Sequence, residues 1–455
     1  MAWAMYSFGI TNCYMNTLKK TILFFLYTLP LLAYCQDSLK THYNLEECIN
    51  LALKNNADAQ KSANNSALAS LDLKQAKAAL LPTLSGQLQH NISTGFSTDP
   101  VTNANISVSN TSGSQNLDAN IMLFNGLNLL RTIRQQAFAY QATQMDEQRV
   151  KDNLTLDIIL AYLQVITTQD VLDRNKQQRD VTQKQLERLA LMNSNGAIAP
   201  GDYYDVKGQF SGDQVAVLTA ENTYRANVIT LTRLLNIPYT KTLSFEPINQ
   251  LPDVADGTLT NQTLYENAAT SLGALRAAKF WRESAEYELK ATRSLYFPSL
   301  SFGAGLNSRY SSSTIGKGTY MDQIRDNLGK GMGLTMSIPI LGGFQRRINV
   351  SRAKIKVRNA EIDLENTENN LQQQTAQVLI NLEMAKEKYL ELKNQVEAYQ
   401  ESFRVAEVQF EAGAINSVEF LLQKNKYDQS SIDLVVAQYE WQLRQRIANY
   451  YNGAR

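Results

Sequence analysis

Leu81-Pro82-Thr83-Leu84-Ser85 and Phe297-Pro298-Ser299-Leu300-Ser301 are one phrase written twice, 216 residues apart. Two further pairs keep the same order and nearly the same spacing. Leu123-Phe124-Asn125-Gly126 corresponds to Ile340-Leu341-Gly342-Gly343, and Gly196-Ala197-Ile198 to Gly413-Ala414-Ile415, both 217 residues apart. Self-similarity at a fixed offset is the mark of a duplicated architecture. The chain therefore reads as two copies of one unit.

Working outward from each proline, the preceding stretch is helical, about 44 to 80 and about 261 to 296, and Pro82 and Pro298 stop it. Period-two alternation follows. Leu84, Gly86, Leu88 and Ile92 alternate with Ser85, Gln87, Gln89 and Asn91, and Leu117, Ala119, Ile121 and Leu123 alternate with Asp118, Asn120 and Met122. The second copy repeats this with Leu300, Phe302, Ala304 and Leu306, then with Met332, Leu334, Met336 and Ile338. These are four strands, apolar on one face and small or polar on the other. Ser/Thr/Asn/Gly-rich stretches at about 95 to 113 and 310 to 330 read as solvated hairpin loops. The alternation by itself fits a half-buried soluble sheet equally well.

A very long helical stretch follows each hairpin. No proline lies between Pro100 and Pro200 or after Pro339, so nothing breaks it. In the second copy Val350, Ala353, Val357, Ala360, Leu364, Leu371 and Val378 start a heptad seam. Leu382, Ala385, Tyr389, Leu392, Val396, Tyr399, Phe403, Ala406 and Phe410 continue it, the signature of helices packed as coiled coil. The run from about 345 to 411 would extend roughly 100 Å. Gly413 ends it and a second helix returns over about 417 to 451. Gly196, followed by Pro200 and Gly201, does the same before a helix over about 202 to 236. Each unit thus ends in a helical hairpin tip remote from its β-hairpin.

Lys plus Arg number 44 and Asp plus Glu 43, a balance that argues against nucleic-acid binding. Two histidines, His42 and His90, no metal-ligand cluster and no nucleophile beside a base leave nothing to build an enzyme on, and no cofactor is expected. Gly316-Lys317-Gly318 and Gly329-Lys330 lack the spacing of a phosphate loop. Glu361, Glu365 and Glu391, interleaved with Lys and Asn, read as solvated helix faces or tunnel lining.

At the N-terminus Lys19-Lys20 precede an apolar run from Ile22 to Ala33, and Ala33 and Cys35 stand at −3 and −1 before Gln36, the pattern of a cleaved secretory signal. Residues 1–35 are its expected extent, with Met15 an alternative start. The competing reading is acylation of Cys35. Cys48, the remaining cysteine of the mature chain, is expected in the core. The expected divisions are a first repeat over 36–238, a linker over 239–260 and a second repeat over 261–455. No other apolar stretch reaches the roughly 18 to 20 residues of a transmembrane helix, so a membrane crossing would have to use β-strands. The strands, about 9 to 12 residues each, suit that span. Phe124, Phe297 and Tyr310 sit at strand ends, where interfacial aromatics belong. Four strands cannot close a barrel, and an open edge in lipid leaves backbone groups unsatisfied. If the strands meet a bilayer, several copies must combine.

This layout resembles the TolC family of outer-membrane channel proteins over nearly the whole mature chain. It has the duplicated helix, β-hairpin and long-helix unit, the proline before each first strand, and tips in which glycine is followed six residues on by an acid: Gly196 with Asp202, Gly413 with Glu419. The resemblance implies an α+β fold whose four strands per chain enter a trimeric, twelve-stranded outer-membrane barrel continued by a periplasmic α-helical tunnel. It implies a homotrimer set in outer-membrane lipid, and a passive exit duct for efflux or secretion. It also implies a periplasmic adaptor, and through it an inner-membrane pump, as partners. By the same resemblance Glu419 matches an acid lining the constricted entrance and Asp202 one that helps hold it shut, although an acid in a first helical turn also simply complements the helix dipole. Ile415 stands where some members have an arginine, Phe410 replaces a tyrosine and Leu422 a second acid. The closed tip is therefore expected to rest on apolar packing more than on ion pairs. The alternative function is a periplasmic coiled-coil adaptor or scaffold, for which the heptads alone would serve.

Overall fold

The structure, a computed structural model, describes residues 42–98, 103–247, 259–312 and 319–453. The signal segment, Met15, Cys35, Gln36 and Gly316-Lys317-Gly318 lie outside the described residues, as does much of the linker. Two compact units are present. In the smaller, β1 (His42–Tyr43) pairs in parallel with β4 (Ser244–Phe245), so the linker contributes a strand that the sequence did not suggest.

The larger unit is the duplicated body. Its first copy comprises α1 (Leu45–Asn55), α2 (Ala57–Ala78), β2 (Thr83–Thr98), β3 (Asn105–Phe124), α3 (Asn128–Ser194) and α4 (Pro200–Leu235). The second comprises α5 (Asn261–Ser271), α6 (Gly273–Ser294), β5 (Ser299–Ser311), α7 (Tyr320–Asp326), β6 (Gly329–Ser337), α8 (Gln345–Glu411) and α9 (Ser417–Tyr451). The copies agree closely. α1 and α5 have 11 residues each, α2 and α6 have 22, and α3 and α8 have 67. Even the strand-to-helix junctions match, with consecutive positive φ at Gly126-Leu127 and at Gly343-Phe344.

Three expectations need correction. The helices before the prolines are each broken in two. Asn56 takes extended backbone and its side chain accepts from the Asp58 and Ala59 N–H groups, starting α2 afresh, and Leu272 is extended in the same way before α6. The first hairpin is longer than expected, with strands of 16 and 20 residues, because its Ser/Thr/Asn-rich outer part remains paired. The second expected loop contains α7.

One antiparallel sheet forms, in the order β2-β3-β5-β6. Register sets Leu84, Ala119, Ala304 and Met332 side by side, with Gly86, Leu117, Leu306 and, at the β6 edge, Lys330 in the next row of the same face. Asn120, Asp118, Asn116 and the strand glycines Gly303, Gly305, Gly331 and Gly333 occupy the opposite face. The apolar face is bare in the single chain: Leu88 is 84% exposed and Met332 82%. Among the described residues no helix is long and apolar enough to cross a membrane.

Along α8 every residue of the heptad seam is buried or half-buried, with Ala353, Leu371, Ala385 and Ala406 innermost. α8 packs against α9 and α6, and α3 against α4, α6, α2 and α9. At 1.5 Å per residue the two 67-residue helices each run about 100 Å. Cys48 is buried and free, as expected, and Glu361, Glu365 and Glu391 are exposed.

Candidate gate at the helical tips

Each helical hairpin turns on a left-handed glycine, Gly196 and Gly413, both at φ +69°. At the first, the Gly196 N–H donates to the Asn193 carbonyl (3.1 Å) and Ala197 N–H to Met192 (2.9 Å). At the second, Gly413 donates to Phe410 (3.1 Å) and Ala414 to Gln409 (2.8 Å). This paired pattern is the Schellman termination, which satisfies the last carbonyls and favours glycine at the left-handed position. The return helices start differently. Pro200 occupies the first turn of α4, whereas Asn416 caps α9 by accepting from the Glu419 N–H at 2.9 Å.

The two tips are joined by side chains that reach from one repeat to the other. Asp202 accepts from the Ser417 N–H (2.9 Å), and Asp205 accepts from the Ser417 hydroxyl (2.8 Å). A first-turn acid of α4 thus satisfies an unpaired N–H at the start of α9, so its role goes beyond complementing its own helix dipole. The Arg188 guanidinium meets the Glu411 carboxylate at 2.6 Å across the two long helices. Within the second hairpin, Phe410 of α8 stacks on Phe420 of α9 with ring centroids 4.6 Å apart, and Phe403 of α8 stacks on Tyr427 of α9. Between the hairpins lies a cleft of about 420 Å³ lined by Asp202, Phe410, Ile415, Ile198, Met192 and Arg188 among others.

The structure therefore brings Asp202, Phe410 and Ile415 together with the turn glycine Gly413. Glu419 is set apart: it is exposed in the first turn of α9, its carboxylate accepting from Gln423 on the same helix at 2.9 Å. The phenylalanine stack packs the two arms of the second hairpin together, whereas Asp202, Asp205 and Arg188 tie that hairpin to the first through polar contacts. Pro82 and Pro298 stand immediately before β2 and β5.

Sequence reasoning missed a buried charged cluster of this region. The Lys424 side chain on α9 is 1% exposed and paired with Asp428 one turn along and with Asp213 on α4 at 3.5 Å. Asp213 also accepts from the Thr182 hydroxyl of α3 and from Gln209 at 2.7 Å. Gln178 of α3 donates to the Asp428 carbonyl at 3.1 Å. Three helices meet in this cluster, α4 and α9 at the ammonium group and α3 through its aspartate partners. Burial pushes the Asp428 carboxyl above the ordinary carboxylate range, against the pull of Lys424. The Lys424-to-Asp428 spacing of four was legible as a helical ion pair, but no local signal points to Asp213.

Among the described residues no group of His, Cys, Asp and Glu could hold a metal ion.

A family model described as "Outer membrane efflux protein" matches residues 48–236 and 264–447, one segment per repeat. The chain is 24% identical over 425 residues to outer membrane protein TolC of Escherichia coli (strain K12), spanning 90% of this chain and 82% of that protein. It is 25% identical over 441 residues to toxin and drug export protein A of Aggregatibacter actinomycetemcomitans, spanning 90% and 87%. The crystal structure of the Campylobacter jejuni CmeC outer membrane channel shares the fold with a TM-score of 0.78 at 14% identity, covering 90% of this chain and 86% of that one. These matches set aside the adaptor or scaffold alternative.

Proposed function

Because the chain belongs to the outer membrane efflux protein family, whose members are passive outer-membrane channels of efflux or secretion systems, we propose that three copies form one continuous duct. Three sheets of four strands make a twelve-stranded barrel, and α3, α4, α8 and α9 of each copy continue it as a tunnel through the periplasm. The observation that carries this reading is the open four-stranded sheet. β2 and β6 are each paired on one side only, and the face they frame is apolar and bare. In lipid such edges leave unsatisfied backbone groups worth several kcal/mol each. Joining the β6 edge of one copy to the β2 edge of the next removes every edge.

The helices support the same assembly. Ile348, Ile355 and Ile362 form an exposed stripe of α8 at heptad spacing, which a neighbouring copy would cover. A periplasmic adaptor docks at the helical tips and links the duct to an inner-membrane pump that supplies the energy. Asp202 with Phe410 and Ile415 holds the tip closed. Glu419 projects three carboxylates, one per copy, into the narrow mouth, where such a ring favours cations.

The test is the native mass of the membrane-extracted protein in detergent, for which three copies are expected; a monomer that stays soluble without detergent refutes the barrel. For the gate, Glu419→Ala is expected to weaken block of single-channel current by divalent cations. Unchanged block removes Glu419 from the constriction.

A further inference from the structure

The apolar face of the sheet does not end abruptly at its outer margin. Along β5 it runs Leu300, Phe302, Ala304, Leu306 and then changes to Ser308 and Tyr310, with Gln115 beside Ser308 and His90 in the row of Tyr310. α7, between β5 and β6, lies on this polar and aromatic patch. The Ser308 hydroxyl donates to the Ile324 carbonyl at 2.6 Å, Gln115 donates to the Tyr320 hydroxyl at 2.7 Å, and the Tyr310 ring lies 4.8 Å from that of Tyr320. The residues at the two ends of the helix are held as well. Asn327 donates to the Arg309 carbonyl at 2.8 Å, and Thr319 forms a reciprocal cap with Asp322.

These contacts fix which side of the sheet α7 occupies. Ser308, Tyr310 and Gln115 share the face of Leu306, Leu117 and Leu88, whereas the opposite face carries the asparagines and glycines suited to an aqueous lumen. Given the barrel reading above, on which this inference rests, α7 lies on the outer wall at the edge of the apolar band, not over the pore. Met321 nevertheless points away from the protein, 72% exposed, with Leu328 also exposed. Arg325 and Asp326 are exposed beside them. An apolar fringe, Met321 on the helix and Leu328 two residues beyond its end, beside a charged one at Arg325 and Asp326, continuous with a lipid-facing wall and backed by tyrosines, is the composition of a segment seated at a membrane–water boundary.

We propose that α7 is an interfacial helix of the outer leaflet: Met321 and Leu328 enter the edge of the acyl layer while Arg325 and Asp326 remain among the headgroups and water. The occupant of this surface is lipid. By accepting from Ser308 and from the Gln115 side-chain N–H, the helix gives polar partners to the polar end of the apolar face at the boundary.

The experiment places an environment-sensitive fluorophore on single cysteines at Met321, Leu328, Asp326 and Leu88, in a chain whose Cys48 is replaced by alanine, reconstituted in phosphatidylcholine vesicles. Labels from Met321→Cys and Leu328→Cys are expected to lose about half of their emission or more when the acyl chains are brominated, as the Leu88→Cys label does, while Asp326→Cys responds to aqueous iodide instead. Quenching at Leu88 without quenching at Met321 and Leu328 overturns the interfacial helix and leaves the barrel standing. Labels on Met321 shielded from both quenchers mean that protein covers α7, which also overturns it. An unquenched Leu88 label overturns the barrel itself.

Discussion

Replacing Lys424 with methionine isolates the contribution of the three-helix junction near the tip. The substitution conserves the length and much of the volume of the side chain but leaves Asp213 and Asp428 facing a buried apolar group. Removing one member of a buried ion pair costs about 3–5 kcal/mol, because the orphaned charge remains desolvated. Asp213 keeps its bonds from Thr182 and Gln209, so the lower half of that range is expected here. If opening of the tip is local, this loss raises amide exchange by roughly two to three orders of magnitude. Hydrogen–deuterium exchange of the detergent-solubilised protein reads it in peptides covering 200–215 and 417–430, with 154–166 in the middle of α3 as the unaffected reference. The triple variant Lys424→Met, Asp213→Asn, Asp428→Asn removes the orphaned charges and is expected to regain most of the lost protection. Equal exchange in wild type and Lys424→Met refutes the reasoning, as does a triple variant no better protected than the single one.

The same junction has a pH signature. The Asp428 carboxyl titrates above its unfolded value, so the folded state holds its proton more tightly. The associated stabilisation is complete below the unfolded value and is lost as pH rises through the folded one. Protection of the 417–430 peptide, corrected for intrinsic exchange, should therefore increase on mild acidification in wild type, and Asp428→Asn should flatten that dependence. Asp202→Ala removes a charged acceptor from the Ser417 N–H and is expected to cost about 1.5–3 kcal/mol locally, read as faster exchange at the start of α9. At Gly273, a Cβ would stand 2.4 Å from the Met145 carbonyl oxygen and 2.6 Å from the Arg149 nitrogen. Gly273→Ala should thus destabilise by about 1–3 kcal/mol through overpacking, seen as a lower thermal midpoint. Burial pushes the Cys48 thiol up to about 12, so maleimide at neutral pH should label it only after denaturation.

The parts of this fold that were legible in the sequence are those with a long period. α8 and α9 were expected over 345–411 and 417–451 and occupy those residues, because a heptad seam repeats its message many times and a left-handed glycine ends it. The outer hairpin was misread for the opposite reason. In the outer part of β3 only Ile106 and Val108 alternate with polar neighbours and residues 109–113 are all polar or glycine, a pattern too brief to betray a strand, and pairing to β2 is a property of two segments together. α7 is seven residues long, too short for any periodicity to register. The breaks at Asn56 and Leu272 did have signals, a capping residue and a following glycine, but each was outweighed by the helical pattern on both sides. At the tips the turns and Asp202 were legible, while Arg188 with Glu411 and Asp213 with Lys424 were not, since each joins residues more than 200 apart in the chain.

That division has a physical consequence for how the tip works. Heptad packing is apolar and repeats along the helix, so it holds two helices side by side while discriminating weakly between registers one repeat apart. A directional contact between particular residues discriminates strongly. Polar links between the two repeats occur along the body, as at Tyr439 with Asp170 and Tyr450 with Asp152, and several more are gathered in the last few turns before the tips: Lys424 with Asp213, Arg188 with Glu411, and Asp202 and Asp205 with Ser417. The links at the tips fix the relative height of the hairpins where, in the proposed duct, a small shift most changes the width of the mouth. Glu419 is exposed on the hairpin so positioned, bonded to Gln423 of its own helix, which is the arrangement the proposed ring of carboxylates requires: an accessible acid on a backbone that its neighbours hold in place.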